Sequence, residues 1–286
     1  MGDRIFDAIV YAILVVVFLI VFFPLMYVVS TSFASARELA LNKFLIFPKH
    51  PTLEVYQYIF STSTFLRSMI VTIVITVVGT LVNLIMTCLM AYPLSRKALP
   101  GRSVIMTAVT FTLVFSGGMI PTYLVVNSLG LIDTYTSLIL PGAISSFNLI
   151  LVKNFFQEIP ESLIDAAQID GSSEMNTLVK IVLPLSKPAL ATFTMFYAVG
   201  HWNQFMQPLL YLNDSKKWTI QILLRQIVLM SQSGVGDEDA MPPGFVLPVK
   251  SLKMACIVVS TLPIIAAYPF MQKYFDKGVM SGSIKG

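Results

Sequence analysis

The sequence predicts an all-α, polytopic membrane protein with six transmembrane helices. Its composition is the first reason: 56% of the 286 residues are hydrophobic and only 12% are charged. Mean hydropathy is +0.78, a balance that belongs to a membrane protein and not to a soluble domain. The second reason is the placement of the charges. Setting aside every Asp, Glu, Lys and Arg leaves six apolar runs on the scale of the about 20 residues that cross a bilayer.

The runs are Ala8–Ala36, Ser68–Ser95, Ser103–Ile132, Thr134–Val152, Pro188–Asn213 and Met254–Gln272. Trimmed at their ends, they place spans near 8–32, 68–94, 103–127, 134–156, 186–211 and 253–273, within one membrane domain covering 1–286. The first ends at Ala34-Ser35-Ala36, which has the look of a signal cleavage site. Its apolar core from Ala8 to Val29 exceeds the about 7–15 residues of a signal's hydrophobic region, so a retained helix anchored by Arg4 is expected.

Orientation follows from the short connectors, where the basic-residue rule applies best. Arg96, Lys97 and Arg102 lie between the second and third spans, whereas Asp133 is the sole charge between the third and fourth. Both termini and the 157–185 loop are therefore expected in the cytosol, with 33–67 and 212–252 outside. In the first outer segment, Pro48-Lys49-His50-Pro51 and Tyr56/Tyr58 point to a short structured excursion. In the second, Ile220, Leu223, Leu224, Ile227 and Val228 have helical spacing, followed by a turn-rich stretch from Ser231 to Pro248. Span three contains Ser116-Gly117-Gly118-Met119-Ile120-Pro121, which predicts a kink or an unwound turn.

The 157–185 loop is the long charged segment expected on the cytosolic side between spans four and five. Pro160 suits a helix's first turn, and Ser162 with Asp165 has capping-box spacing. Leu163, Ala166 and Ala167 fall on one face, with Ile159 a turn earlier. Gly171 suits a left-handed stop, Ser172 or Ser173 can cap a second helix, and Leu178, Ile181 and Val182 give that helix an apolar side. Pro184 predicts the boundary before span five. Two short amphipathic helices joined by a sharp turn are expected.

Chemistry of other kinds finds little support. No G-x-x-x-x-G-K-[ST] loop, H-E-x-x-H, zinc-type Cys/His cluster or G-x-S-x-G elbow occurs, so neither catalytic nor metal-binding residues are assigned. Cys88 and Cys256 lie in apolar runs as free thiols. No basic cluster interleaved with aromatics marks a nucleic-acid surface. The absence of intramembrane charge also argues against a proton- or voltage-driven machine. Among the uncharged polar side chains in the spans are Asn83, Asn148, Tyr197, His201, Trp202, Asn203, Gln204 and Gln207. Tyr197, His201 and Gln204 share a helical face. Amides and aromatics suit a polyhydroxylated substrate, and this cluster is the candidate pathway; interhelical hydrogen bonding is the plainer reading of each residue.

The spacing of Asp165-Ala166-Ala167, Gly171, Ile181 and Leu183-Pro184 resembles the EAA loop of binding-protein-dependent ABC importers, with Asp165 in the usual Glu position. Phe115-Ser-Gly-Gly-Met-Ile-Pro-Thr-Tyr-Leu124, Leu129-Gly-Leu-Ile-Asp-Thr134 and Ala198-Val-Gly-His-Trp-Asn203 extend the likeness to carbohydrate-type permeases. Within these the chain is similar to the maltose permease MalG and nearer the LplC/YtcP-like branch, associated with oligo- and polysaccharide uptake. The resemblance implies the ABC type I importer permease fold, with cytosolic coupling helices between spans four and five. It implies a bacterial inner- or plasma-membrane location, a second homologous permease subunit and two ATPase subunits that carry ATP and Mg. An extracytoplasmic sugar-binding protein would deliver the substrate. Asp165, Ala166, Ala167, Gly171, Ile181, Leu183 and Pro184 would then couple this chain to its ATPase. An ion-coupled secondary transporter, using backbone carbonyls for sodium, is the alternative.

Overall fold

The computed structural model describes residues 2–41, 45–233 and 248–282, with side chains over 4–41, 45–229 and 248–269. Most of the turn-rich stretch expected between Ser231 and Pro248 lies outside the described residues. Among the described residues every regular element is helical. Three helices are long and apolar enough to cross a membrane unbroken: α1 (Gly2–Ser32), α4 (Ser63–Ser95) and α15 (Val249–Gly282). They take up the first, second and sixth apolar runs, each starting before its run; α1 stops at Ser32, short of Ala36, and α4 ends with its run at Ser95.

The other three runs are broken. The third becomes α5 (Arg102–Val114) and α6 (Met119–Ser128), bent by 117°. This is far more than a kink, and Gly118 shows why. Its φ of +85° with ψ of 172° is a region that only glycine enters without strain. Ser116 Oγ accepts the freed Gly118 N–H, and Pro121 falls in the first turn of α6, where a missing N–H costs nothing. The fourth run becomes α7 (Thr136–Ile139), a short 3-10 turn with Pro141, and α8 (Ser146–Gln157), with a 54° bend. Ser145 caps α8 through the Asn148 N–H. The fifth run is α12 (Lys187–Trp202) followed by α13 (Met206–Tyr211), and it joins the preceding loop helix at 86°. Counting each bent pair as one crossing gives six.

Contacts sort the chain into two compact units, Met1–Arg67 with Ile222–Pro263 and Ser68–Gln221 with Ile264–Gly286. In the first, Glu38 of α2 (Ala36–Leu41) accepts the Lys49 and His50 N–H groups at 2.8 and 2.9 Å. The Tyr56 hydroxyl of α3 (Glu54–Ser61) meets Ser32 Oγ at 2.6 Å, and Ser251 donates to the Ala34 carbonyl. The expected structured excursion is thus pinned by one carboxylate and one phenol. In the second unit a core of Leu94, Leu149, Val152, Phe156, Leu178, Val182 and Phe193 joins α4, α8, the loop and α12.

Two features of the second unit give direct tests. Gly79 of α4 lies against the His201 ring of α12, so closely that an added Cβ would sit 2.5 Å from Nε2. Gly79→Ala should displace the ring and lower stability in detergent by about 1–3 kcal/mol, as overpacking does. Gly200→Ala, within α12 and where a Cβ meets nothing within 4 Å, is the control and should keep or slightly raise the melting temperature. The second feature is Asp133, held at φ 61°. Its carboxylate accepts the Asn213 and Asp214 N–H groups and a 2.6 Å bond from Lys217. These contacts, Lys217 first, hold the Asp133 carboxyl below its ordinary 3.8, and the carboxylate holds the Lys217 ammonium above its ordinary 10.5. The Asp133 contribution is complete above 3.8 and disappears as pH falls through the lower folded value; the Lys217 contribution is complete below 10.5 and disappears as pH rises through the higher one. Asp133→Asn should therefore destabilise equally at about pH 5 and about pH 9, and melting curves at the two values check it.

Candidate functional site: the 157–185 loop and the polar seam of the spans

Two helices do form in the loop. The first, α9 (Glu161–Ile169), starts on Pro160, which occupies the cap position and not the first turn. The expected Ser162–Asp165 capping box is absent, because Ser162 already lies inside the helix. Gly171 ends the helix at φ +77° as expected. The Gly171 N–H donates to the Gln168 carbonyl and the Ser172 N–H to the Ala167 carbonyl, the paired bonds of a Schellman motif. Of the two candidate caps, Ser173 is the one used, accepting the Asn176 N–H of α10 (Glu174–Thr177).

From α10 the chain continues through a π-helical turn, Leu178–Val182, into α11 (Leu183–Leu185). The widened turn has a local cause. Pro184 lacks an N–H and its ring would press on the Lys180 carbonyl in a regular helix; a π turn relieves both. The expected boundary at Pro184 moves to Ser186, where the 86° bend falls.

Burial divides the predicted coupling residues. Ile164 and Ala167 face inward on α9, whereas Leu163, Asp165, Ala166 and Ile169 are exposed. The shared face expected for Leu163, Ala166 and Ala167 is thus split, since Ala167 packs within the chain. Ile181 and Leu183 are half-buried, and Gly171 and Pro184 are exposed. Ile169, at 85% exposure, together with Leu163, Met175 and Val179, gives the loop an outward apolar tip. Sequence reasoning missed Ile169 and Met175, although bulky apolar residues in a charged loop were a usable signal.

It also missed the attachment of the loop to α4. The Tyr92 hydroxyl donates to Glu174 Oε2, and Arg96 donates to the same hydroxyl at 2.9 Å, its guanidinium 5.0 Å over the Tyr92 ring. Gln168 of α9 donates to the other Glu174 oxygen at 2.9 Å. Both loop helices are thereby tied through one carboxylate to the end of α4. No local pattern announces this, because Tyr92 and Glu174 are 82 residues apart.

The polar residues of the spans make a second network. Asn83 donates to the Gly142 carbonyl at 3.1 Å, and its Oδ1 lies 3.3 Å from His201 Nε2, which must then carry the proton. Tyr197 Oη and Thr87 Oγ1 share a 2.7 Å bond, and Gln204 donates to the Leu138 carbonyl at 3.1 Å. The helical face expected for Tyr197, His201 and Gln204 holds only the first two, because α12 ends at Trp202. Tyr197 and His201 bond to α4, and Gln204, in the break that follows, bonds to α7. Asn148 and Trp202 are buried; the Trp202 carbonyl accepts a bond from Gln221. Asn203 and Gln207 remain exposed at the break after α12, Asn203 donating back to the Val199 carbonyl. Cys88 and Cys256 are buried free thiols, and among the described residues no group of three His, Cys, Asp or Glu could hold a metal ion.

Up to six apolar crossings with a folded, apolar-tipped loop before the fifth are the features of a multi-pass membrane protein. Residues 1–281 match the family of binding-protein-dependent transport system inner membrane components, and the chain belongs to that family. It is 51% identical over 286 residues, covering 100% of both chains, to the polygalacturonan/rhamnogalacturonan transport system permease protein YtcP of Bacillus subtilis (strain 168). It is 53% identical over 263 residues to Protein LplC of the same organism, covering 92% of this chain and 89% of LplC. A chain in the crystal structure of a bacterial ABC transporter involved in the import of the acidic polysaccharide alginate superposes with a TM-score of 0.91. That chain is 32% identical, and the match covers 96% of this chain and 98% of that one. As an inner membrane component the protein is a transport subunit and not an enzyme.

The Gly171 turn yields a prediction. Because a Cβ there meets nothing within 4 Å, backbone strain alone opposes substitution within this chain. Gly171→Asn, which tolerates the left-handed region, should keep most transport. Gly171→Glu should abolish transport while leaving normal amounts of protein in the membrane, with uptake assays and immunoblots as the paired readouts.

Proposed function

We propose that this chain is a permease subunit of an ATP-driven importer for an oligo- or polysaccharide, forming half of the translocation pathway. The observation that carries the reading is the loop: two short helices locked by the Gly171 turn, tied to α4 through Glu174, and presenting Asp165, Ala166 and an apolar tip outward. The 157–185 segment acts as a coupling element seated on a separate ATPase, which binds ATP and Mg. Gly171 supplies the turn, Asp165 and Ala166 the docking face, and Ala167, Ile181, Leu183 and Pro184 the shape of the element behind it. Closure of a pair of ATPase subunits pushes the two helices as one body, and the Glu174–Tyr92 bond passes the motion to α4.

Residues 1–286 then form one permease domain with both termini cytosolic and the 33–67 and 212–252 segments outside. A second, homologous permease completes the pathway, and an extracytoplasmic sugar-binding protein delivers the substrate. Within the pathway, the exposed Asn203 and Gln207 are the candidates for direct sugar contact. Asn83, Asn148, Tyr197, His201, Trp202 and Gln204 shape the wall behind them. The names of YtcP and of the alginate importer support the carbohydrate assignment.

Purification of the chain from its native membrane in mild detergent, with mass spectrometry of the co-purifying proteins, tests the proposal. A second permease and an ATPase are expected, together with ATP-dependent sugar uptake in reconstituted vesicles. A stable ATPase-free preparation that transports on an ion gradient would establish a secondary transporter instead.

A further inference from the structure

The elbow between α5 and α6 puts open backbone inside the membrane. α5 begins at Arg102, a charge that belongs at a membrane boundary. Its 13 residues rise about 20 Å, whereas the hydrocarbon layer is about 30 Å thick. Phe115–Gly118 therefore lies within that layer. Helical bonding stops there, and the Ser116 and Gly117 N–H groups have no partner among the described residues. The elbow is nonetheless firmly shaped. Gly118 holds φ +85°, and its carbonyl accepts both the N–H and the hydroxyl of Thr122, at 3.3 and 2.7 Å.

Three surroundings are open to this elbow, and two of them fit badly. Every residue from Phe111 to Thr122 is exposed, and Phe115, Ile120 and Leu124 reach 61%, 71% and 59%. Lipid chains would cover those side chains but leave the amides unpaired, which irregular backbone in a bilayer does not tolerate. Water would pair the amides but leave a continuous bulky apolar surface wet. A protein surface does both, with apolar side chains to pack and carbonyl or hydroxyl oxygens to accept. Gly117 points the same way. Its φ is not positive and an added Cβ would meet nothing within 4 Å, so nothing in this chain calls for a glycine there. A neighbour packed closely from outside would.

We infer that the α5–α6 elbow is the surface on which the second, homologous permease packs. That subunit covers Phe115, Ile120 and Leu124, comes close at Gly117, and accepts the Ser116 and Gly117 N–H groups. At this depth only another membrane-embedded chain reaches the elbow; a water-soluble ATPase or sugar-binding protein does not. The inference rests on the two-permease reading and adds the place where the two chains meet.

The test puts the photoreactive residue p-benzoylphenylalanine in place of Phe115 or of Ile120, in the complete transporter in its native membrane. Illumination should join both positions to peptides of the second permease, identified by mass spectrometry. A second measurement uses Ile120→Ala combined with Leu124→Ala, two side chains exposed within this chain. The pair should lower the co-purifying second permease at least about tenfold, with the membrane level of this chain unchanged. Adducts with lipid, with this chain, with another copy of it or with no protein overturn the elbow as the meeting surface. So does rapid labelling of Ile120→Cys by a charged maleimide, which would put the elbow in an aqueous pathway. In those cases a second permease that still co-purifies leaves the import reading standing. Absence of any second membrane subunit removes that reading itself.

Discussion

The Tyr92–Glu174 hydrogen bond is the constraint that fixes the 157–185 loop against α4. One carboxylate accepts from α4 through Tyr92 and from α9 through Gln168, while α10 carries it. Three elements thus meet at a single side chain, and Arg96 donates to the same phenol that bonds it. Beside that junction, the segment is held to the spans by the Gln157 bond to the Ser95 carbonyl at 3.3 Å and by the apolar packing of Leu178 and Val182. With it, the loop has a directional, hydrogen-bonded connection to α4. Hydrogen bonds to charged groups are among the stronger individual contacts a protein makes.

The polar seam serves a related end inside the apolar layer. Side chains that looked like a pathway from sequence spend much of their hydrogen-bonding capacity on one another and on backbone exposed where helices break. Asn83 satisfies the Gly142 carbonyl beside the α7–α8 bend, and Gln204 satisfies the Leu138 carbonyl at the end of α7. In hydrocarbon an unpaired carbonyl is expensive, so a broken span requires such partners. The amides therefore have a structural duty before they have any duty toward substrate. Gly79 makes the arrangement possible by letting the His201 ring approach the α4 backbone.

Much of this was legible in the chain. Six apolar runs mark the crossings, because removing an apolar run from water is decided by composition along the segment alone. The Gly171 turn was readable because a positive φ restricts residue type locally, and the Asp165–Pro184 spacing carried the family resemblance that the comparisons bear out. The local details were less secure. The capping box failed because Pro160 had already taken the cap, and Pro184 was absorbed by a π turn instead of ending the helix. Both are competitions between two acceptable local geometries, which a spacing rule cannot rank.

What the sequence by itself determined is the membrane class, the number of apolar runs, the helix–turn–helix loop and the family, since each follows from composition or from residue types at fixed local spacing. The tertiary structure alone decided which runs break and by how much, which loop residues face outward, and that Tyr92, Gln168 and Glu174 meet. The physical reason is range. Hydropathy and turn chemistry act over a few residues, whereas a hydrogen bond across 82 residues exists only once packing has brought distant segments together.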